Sequence, residues 1–394
     1  MSSRRYSIAL LVLLLLLLAS VGAFNRIVDP FWYFRDVEVR GFNLDKPRFP
    51  RNERLVKSAL AVKLRPEAVI LGSSYAEVGL PATHAGFTGG GRLKPYNLSV
   101  SGGAWPEIQC YALFALAQPG LKRMVLGVSR SAAESCSSYA NLGEVDYAKL
   151  LFSQNAVSAS WETVRRQDGK PRVTAEGMWY FKRYEEKIRN DDDIAVNFAN
   201  EMRSHLCKSR RQDKLFDPRR VNRTKPPADA STAGLRGIVR QAVQKKIQLI
   251  LLVYPKHVLH YELERQCGEF EERWSQLWKL VSLVEEEAGP DSPLVEVWDF
   301  YGYRDINAER VRAGIAMPKR LWQDAGHFNH EVGAAAFDTI FSANRSGLSG
   351  YGRRVNTRDF DRYIDESESE RRAFLLSHAW VKQELDELTR PTHR

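Results

Sequence analysis

The sequence predicts an α/β fold in which helices cover a central parallel sheet, arranged as a three-layer α/β/α sandwich. One observation is a set of short apolar runs, rich in leucine and β-branched residues: Ala68–Leu71, Tyr96–Val100, Met124–Val128, Ile247–Tyr254 and Leu294–Asp299. Such runs are typical of strands that are buried on both faces. The other is that helical patterns lie between and after them: Pro106–Ala117, Ala233–Lys246, Gln266–Glu287 and Glu331–Ala343. This alternation favours parallel strands joined by right-handed crossovers.

The predicted α/β domain covers residues 66–345, with segments that depart from its rhythm. Residues 133–227 are charged, with helical patterns at Val173–Arg189 and Ile194–Leu206, and we interpret them as a helical insertion. The insertion either caps the carboxyl edge of the sheet or has a purely structural role. Residues 25–65 are interpreted as a stalk, and the polar tail 346–394 as a solvated or partner-contacting helical segment around Asp365–Leu388.

The amino terminus carries a membrane signal. Arg4 and Arg5 precede Ile8–Phe24, an uncharged apolar run. A helix of that length spans about 25 Å, close to the minimum for crossing a bilayer. We predict a transmembrane anchor over residues 1–24, with the arginines cytoplasmic, the remainder outside the cell membrane, and Phe31–Phe34 at the membrane interface. Cleavage as a signal peptide after the small residues Val21–Ala23 is the alternative.

Composition narrows the function classes. Lys and Arg number 58 against 48 Asp and Glu, but no aromatic-interleaved basic motif accompanies this excess, so we expect no nucleic-acid partner. The four cysteines lack the spacing of a zinc site, and we predict no metal and no organic cofactor. The sequence does not give a disulfide pairing, and Cys110 is interpreted as a core residue.

Two turns at predicted strand ends carry groups suited to nucleophilic catalysis. Gly72 permits a sharp turn after the first strand, and Ser73 and Ser74 follow it. Ligands of open α/β sheets bind at the carboxyl ends of strands, which is where the Ser74 hydroxyl is expected. After the second strand, Gly102 and Gly103 precede a helix, and a backbone N–H there could donate to an oxyanion.

The third segment is Asp324-Ala325-Gly326-His327, before the last predicted helix. This spacing lets the carboxylate bind one imidazole nitrogen while the other nitrogen faces the serine. We therefore predict Ser74 as nucleophile, His327 as base and Asp324 as the orienting acid.

The order of these segments resembles the SGNH/GDSL hydrolase superfamily over roughly residues 67–343, and in particular its membrane-anchored bacterial cell-envelope members. The resemblance implies the flavodoxin-like fold of that superfamily and matches Ser74, Gly102, Asp324 and His327 to the nucleophile, glycine donor, acid and base. Further similar segments are Asn25…Asp29-Pro30, Tyr254-Pro255-Lys256-His257 and Trp298-Asp299-Phe300-Tyr301-Gly302. Relatives of this kind transfer or remove acyl groups on envelope polymers.

The chain departs from that pattern after the third strand. The family presents Gly-x-Asn-Asp there, whereas this sequence has Gly127-Val128-Ser129-Arg130-Ser131. The side-chain donor to the oxyanion is therefore missing or supplied from elsewhere in the chain, and losing one such donor costs about 2.7–4 kcal/mol of transition-state stabilisation. Ser73 stands in place of the usual acidic residue.

These features predict a periplasmic serine esterase or O-acyltransferase, anchored in the inner membrane by one pass and acting on an acylated carbohydrate or lipid-linked polymer. Ser73, Gly102, His257 and Asp299 complete the predicted oxyanion and substrate-binding set. The alternative is a catalytically impaired binding or assembly protein that assists polysaccharide modification or export. A membrane acyltransferase is a candidate partner.

Overall fold

A computed structural model describes residues 3–128, 136–167, 171, 173–179, 191–204, 217–226, 230–311, 320–341 and 351–390. The chain separates into two compact units, which are described one at a time. The first contains residues 1–64 and 141–180, and the second contains residues 65–140 and 181–394. The predicted insertion 133–227 is therefore divided between the two units.

The second unit is built around a six-stranded sheet in the order β2-β1-β3-β4-β5-β6. Its strands are β1 Ala68–Leu71, β2 Pro95–Asn97, β3 Arg123–Val128, β4 Gln248–Val253, β5 Val295–Asp299 and β6 Arg353–Arg354. The first five strands are parallel, and β6 pairs antiparallel with β5. This confirms the mixed α/β class with a mostly parallel central sheet.

The apolar runs of the sequence become the interior of this sheet. All four residues of β1 are buried, as are the four central residues of β3 and of β4. The register pairs Leu71 with Leu126, and Leu126 with Leu251, so the three strands end at one edge. Continuous apolar composition is what burial of both faces requires.

In the described part of the second unit the α-helices are α3 Ser74–Gly79, α4 Trp105–Ala117, α7 Asp191–Ser204, α8 Ala230–Gln244, α9 Val258–Gln266, α10 Phe270–Ala288, α11 His330–Phe341, α12 Phe360–Ser377 and α13 Trp380–Thr389. The start predicted for the helix Gln266–Glu287 is wrong. Gly268, at φ +66°, separates α9 from α10, and this left-handed conformation ends a helix and favours glycine.

The carboxyl-terminal tail is an integral part of the second unit. Strand β6 extends the sheet, and Phe360, Ile364 and Val381 are fully buried. The Tyr363 hydroxyl donates a hydrogen bond to Asp299 Oδ2 at 3.1 Å. The interpretation of this segment as a solvated tail is therefore wrong.

The cysteine interpretation also needs correction. Cys110, in α4, is buried but forms a disulfide with Cys136, and Cys267 is disulfide-bonded as well. The sequence did not distinguish a core thiol from a buried disulfide, because a cysteine in an apolar helix is compatible with either.

The first unit consists of helices α1 Ser3–Val28, α2 Phe49–Leu64, α5 Tyr147–Phe152 and α6 Gln154–Arg165, with connecting turns. An 18-residue window within Arg4–Val28 has a mean hydropathy of 2.8, and this helix is long and apolar enough to span a membrane. Its end packs against α5 and α6.

Three expectations that concern residues of this unit differ from the structure. Residues 25–65 are not a plain stalk, because they contain α2 and many buried side chains. Phe31–Phe34 are all buried within the protein instead of lying in an interfacial belt. Asp29 organises this segment, since its carboxylate accepts hydrogen bonds from the N–H groups of Tyr33 and Arg35 at 2.8 Å. Of the helix predicted at 173–189, residues 180–189 lie outside the described ranges, and Val173 forms an antiparallel bridge with Trp179.

Candidate active site

The first part of the site is the turn that follows β1. The strand ends at Leu71, and Ser74 is the first residue of α3, so its N–H is not used by the helix ladder. Gly72 is needed for close packing, because a Cβ there would lie 2.0 Å from the Tyr254 hydroxyl oxygen. The turn thus presents Ser74 at the carboxyl edge of the sheet, where strand β1 is flanked by β2 and β3.

The second part is the loop 322–328, which is closed on itself before α11. Trp322 and Phe328 form an antiparallel bridge, and the Gln323 N–H donates to the His327 carbonyl at 2.9 Å. Asp324 Oδ1 accepts hydrogen bonds from the N–H groups of Gly326 and His327 at 2.8 and 2.7 Å. A short acidic side chain that bonds its own following backbone is a common turn-forming device.

These two parts bring the three predicted catalytic side chains together. Ser74 Oγ lies 2.8 Å from His327 Nε2, and His327 Nδ1 lies 2.7 Å from Asp324 Oδ2. Ser74 and His327 are half-buried, while Asp324 is buried. The hydroxyl, the imidazole and the carboxylate therefore form one continuous hydrogen-bonded chain across a sequence separation of 253 residues.

Charge and hydrogen bonding determine which atom donates in each hydrogen bond between Asp324, His327 and Ser74. Burial acts to raise the pKa of Asp324, but hydrogen bonds from the His327 side chain and from backbone N–H groups outweigh it and hold the pKa below its usual value. An ionised carboxylate only accepts hydrogen bonds. The proton between Asp324 and His327 therefore resides on Nδ1, and Nε2 is left as an acceptor for the Ser74 hydroxyl.

Gly102 lies on a neighbouring turn. The N–H groups of Leu98 and Val100 donate to the carbonyls of Ile70 and Gly72, at 2.8 and 3.1 Å, so the chain after β2 follows β1 to the turn that carries Ser74. Gly102 has φ +64°, is exposed, and has open space where a Cβ would stand. Glycine is favoured by that backbone conformation, not by a steric contact.

Ser73 immediately precedes α3 and stabilises the start of this helix mainly through its backbone. Its carbonyl accepts hydrogen bonds from the N–H groups of Ala76 and Glu77, both at 3.1 Å, and its side chain makes no cap hydrogen bond. The buried Tyr254 hydroxyl lies beside Ser73 without a well-aligned hydrogen bond.

His257 and Asp299 occupy structural positions. His257 is fully buried, Nε2 lies 2.7 Å from the Glu309 carbonyl, and Nδ1 accepts the Leu259 N–H at 3.3 Å. Its own N–H donates to the Ala325 carbonyl at 3.1 Å, which ties the end of β4 to the loop of His327. The geometry gives His257 this supporting role instead of a substrate contact.

Asp299 is equally enclosed. Arg273 Nη2 donates to both of its carboxylate oxygens at 2.8 and 2.9 Å, and the Tyr301 N–H and the Tyr363 hydroxyl complete its hydrogen bonds. This carboxylate joins β5 to α10 and α12, so its contacts are with the supporting helices and not with the loop of His327.

Sequence reasoning missed two residues that shape the site. The Tyr75 ring lies 4.5 Å from the His327 ring, centroid to centroid, and its hydroxyl approaches Gly326 so closely that a Cβ there would be 2.7 Å away. Glu77 is buried and accepts a hydrogen bond from the Ser101 hydroxyl at 2.6 Å, which joins α3 to the turn of Gly102. The available signals were an aromatic residue next to the nucleophile and an acid inside an apolar helix.

Part of the predicted insertion lies at this edge. The Phe198 ring of α7 packs edge-on against His257 at 5.0 Å. Burial and the negative charges of Glu201 and Asp324 raise the pKa of Tyr75 above its usual value, which indicates that α7 contributes an acidic side chain near the site. The Ser129–Ser131 segment, including Arg130, lies outside the described residues.

Within the described ranges, no group of three or more His, Cys, Asp or Glu side chains is arranged to hold a metal ion. The absence of a cofactor stays a prediction. Comparison with protein-family models and with curated proteins gave no match for this chain. The function of this chain is therefore inferred from the geometry of the site.

Proposed function

We propose that this protein is a membrane-anchored serine esterase or O-acyltransferase of the SGNH type, acting outside the cytoplasm on an acylated carbohydrate or lipid-linked polymer. The observation that carries the proposal is the hydrogen-bonded chain from Asp324 through His327 to Ser74. This arrangement of a hydroxyl, an imidazole and a carboxylate recurs on unrelated folds that perform acyl transfer.

The proposed reaction begins with attack of Ser74 Oγ on the carbonyl carbon of the ester, while His327 Nε2 takes the hydroxyl proton. Asp324 stabilises the resulting imidazolium and keeps it oriented. The N–H groups of Ser74 and Gly102 are proposed to bind the oxyanion. His327 then protonates the departing alkoxide, and water or a sugar hydroxyl, deprotonated by His327, releases the acyl group and regenerates Ser74.

The sheet supports the same location for the site. The order 2-1-3-4-5 of the parallel strands is that of flavodoxin-like sheets, whose ligands bind at the switch point between β1 and β3. Ser74 directly follows β1. This agreement favours the flavodoxin-like SGNH arrangement as the finer description of the fold.

Two observations support an extracytoplasmic location. Arg4 and Arg5 flank the apolar helix on its amino-terminal side, and such charges are retained in the cytoplasm. The Cys110–Cys136 disulfide is typical of an oxidising compartment such as the periplasm.

The decisive test is chemical labelling of Ser74 in the full chain. We expect a fluorophosphonate probe to label the wild type and Ser73→Ala, but not Ser74→Ala. Turnover of p-nitrophenyl acetate should fall by about 10³-fold or more in Ser74→Ala, with an unchanged melting temperature. Labelling elsewhere, or equal turnover in Ser74→Ala, would refute the proposal.

The second candidate is a non-catalytic binding or assembly protein for envelope polysaccharides, which would cooperate with a membrane acyltransferase. The absence of an asparagine in the segment Gly127–Ser131 favours it, because that residue would supply an oxyanion donor. A folded protein that does not react with the fluorophosphonate but binds the acylated polymer would support this candidate.

A further inference from the structure

Large apolar side chains are exposed on two short helices of the first unit. Trp161 is 57% exposed and Phe152 is 49% exposed, and Tyr147 and Val157 are exposed as well. Val157 and Trp161 are four residues apart in α6, so they lie on one face of that helix. We refer to these four exposed residues of the two helices as the α5–α6 surface.

The α5–α6 surface lies beside the carboxyl-terminal part of α1. A Cβ at Gly22 would lie 2.8 Å from the Phe152 ring, and Asn25 Nδ2 donates to the Leu151 carbonyl at 2.7 Å. These contacts fix the position of α5 along the axis of α1.

The position of α5 along α1 determines the depth of α5 in a bilayer that α1 crosses. The apolar run Ile8–Phe24 spans about 25 Å, slightly less than a hydrocarbon core of about 30 Å, so all of it is needed for a crossing. Gly22 is two residues, or about 3 Å, from the end of this run. Phe152, in contact with Gly22, must then lie at the boundary between acyl chains and headgroups.

The chemistry of the surface suits that boundary. Trp and Tyr are enriched where a membrane meets water, because their rings are apolar and their N–H or O–H groups are polar. The Arg165 guanidinium lies over the Trp161 ring, 5.5 Å from a ring centroid, which leaves a cation close to the aromatic side chain. A long basic side chain in such a place can reach lipid phosphates while its stem stays in apolar surroundings.

We propose that the α5–α6 surface is a second membrane contact, inserted in the interfacial layer of the bilayer that α1 crosses. The occupant of the surface is lipid, because both helices pack against α1 and expose large apolar side chains beside the end of the helix that crosses the membrane. The contact would hold the first unit against the bilayer and prevent it from turning freely about the end of α1. This inference requires the membrane crossing of α1 but not the proposed esterase activity.

The test is depth-dependent quenching of tryptophan fluorescence in the full chain. The protein is reconstituted in vesicles of phosphatidylcholine and phosphatidylglycerol whose acyl chains are brominated either near the headgroup, at carbons 6 and 7, or deeper, at carbons 11 and 12. We expect Trp161→Phe to lose a component that the shallow label quenches more strongly than the deep one. Trp274→Phe is the matched control, because Trp274 is fully buried in the second unit and cannot contact lipid.

A quenching profile that is unchanged by Trp161→Phe would overturn the proposal. A second measurement separates lipid from a protein occupant: benzoylphenylalanine is incorporated in place of Trp161 and photolysed in native membranes. Adducts of lipid mass support the proposal, whereas a discrete protein adduct would overturn it and assign the surface to a membrane protein partner. Esterase assays on the same samples report independently on the proposed function.

Discussion

Protonation of the buried His257 side chain gives a quantitative test of how the loop of His327 is supported. The ring is fully buried, it packs edge-on against Phe198 and Trp322, and burial lowers its pKa from 6.5 to about 3. The unfolded chain therefore binds a proton between pH 6.5 and about 3 that the folded chain does not bind. Acidification favours unfolding throughout this interval.

The magnitude follows from the size of this shift. Each pH unit below 6.5 removes about 1.4 kcal/mol from the free energy of unfolding through His257, which amounts to about 2 kcal/mol at pH 5. Above pH 6.5 His257 removes nothing from the free energy of unfolding, and the loss grows as the pH falls toward 3. Because Ala325 accepts a hydrogen bond from the His257 N–H, the loop of His327 is expected to lose its support at the same time.

The assay is urea unfolding of the full chain in detergent at several pH values, for the wild type and for His257→Gln. Glutamine can still donate to the Glu309 carbonyl but cannot be protonated, so other titrating groups cancel in the comparison. The difference in unfolding free energy should decrease by about 1.4 kcal/mol per pH unit between pH 6.5 and 3. A difference that does not change with pH would refute the reasoning, and a raised KM without this slope would restore His257 as a substrate contact.

Three further outcomes follow from contacts in the second unit. Asp324→Asn should lower kcat for ester hydrolysis by about 10⁴-fold without preventing folding, since the amide no longer holds His327 in the required tautomer. A steady-state assay measures kcat, and a melting curve checks that the variant folds. A near-normal kcat would exclude Asp324 as the residue that orients His327. Gly127→Ala should lower the melting temperature, because its Cβ would lie 1.7 Å from the Tyr254 hydroxyl oxygen. Adding Tyr254→Leu to the same chain should restore part of this loss. An unchanged melting temperature in the single variant would show that Tyr254 moves freely. Replacing Cys110 and Cys136 together by serine should lower the free energy of unfolding by about 3.5 kcal/mol, as expected for a bridge across a separation of 26 residues. Unchanged stability in urea unfolding would exclude a structural role for this bridge.

Strands β1, β3 and β4, and the segments that carry Ser74, Asp324 and His327, could be predicted from local sequence patterns. The runs at β1, β3 and β4 are apolar throughout because both of their faces are covered, and this pattern is visible without a fold. Ser74, Asp324 and His327 each follow a local signal, either a glycine turn after a strand or an acid one turn before a histidine. Their meeting could be expected because parallel strands end at one edge of a sheet.

Local patterns do not show which other polar and aromatic residues lie at the site, because this depends on how distant elements pack. His257 follows a predicted strand and Asp299 ends one, much as Ser74 follows β1, yet their side chains point into the protein, where they bind buried partners. Phe31–Phe34 have the composition of a membrane belt but are buried, while Trp161, far along the chain, is exposed on α6, which packs on α1. A side chain is exposed or enclosed according to the elements that pack around it, and those elements come from distant parts of the chain that no local pattern specifies.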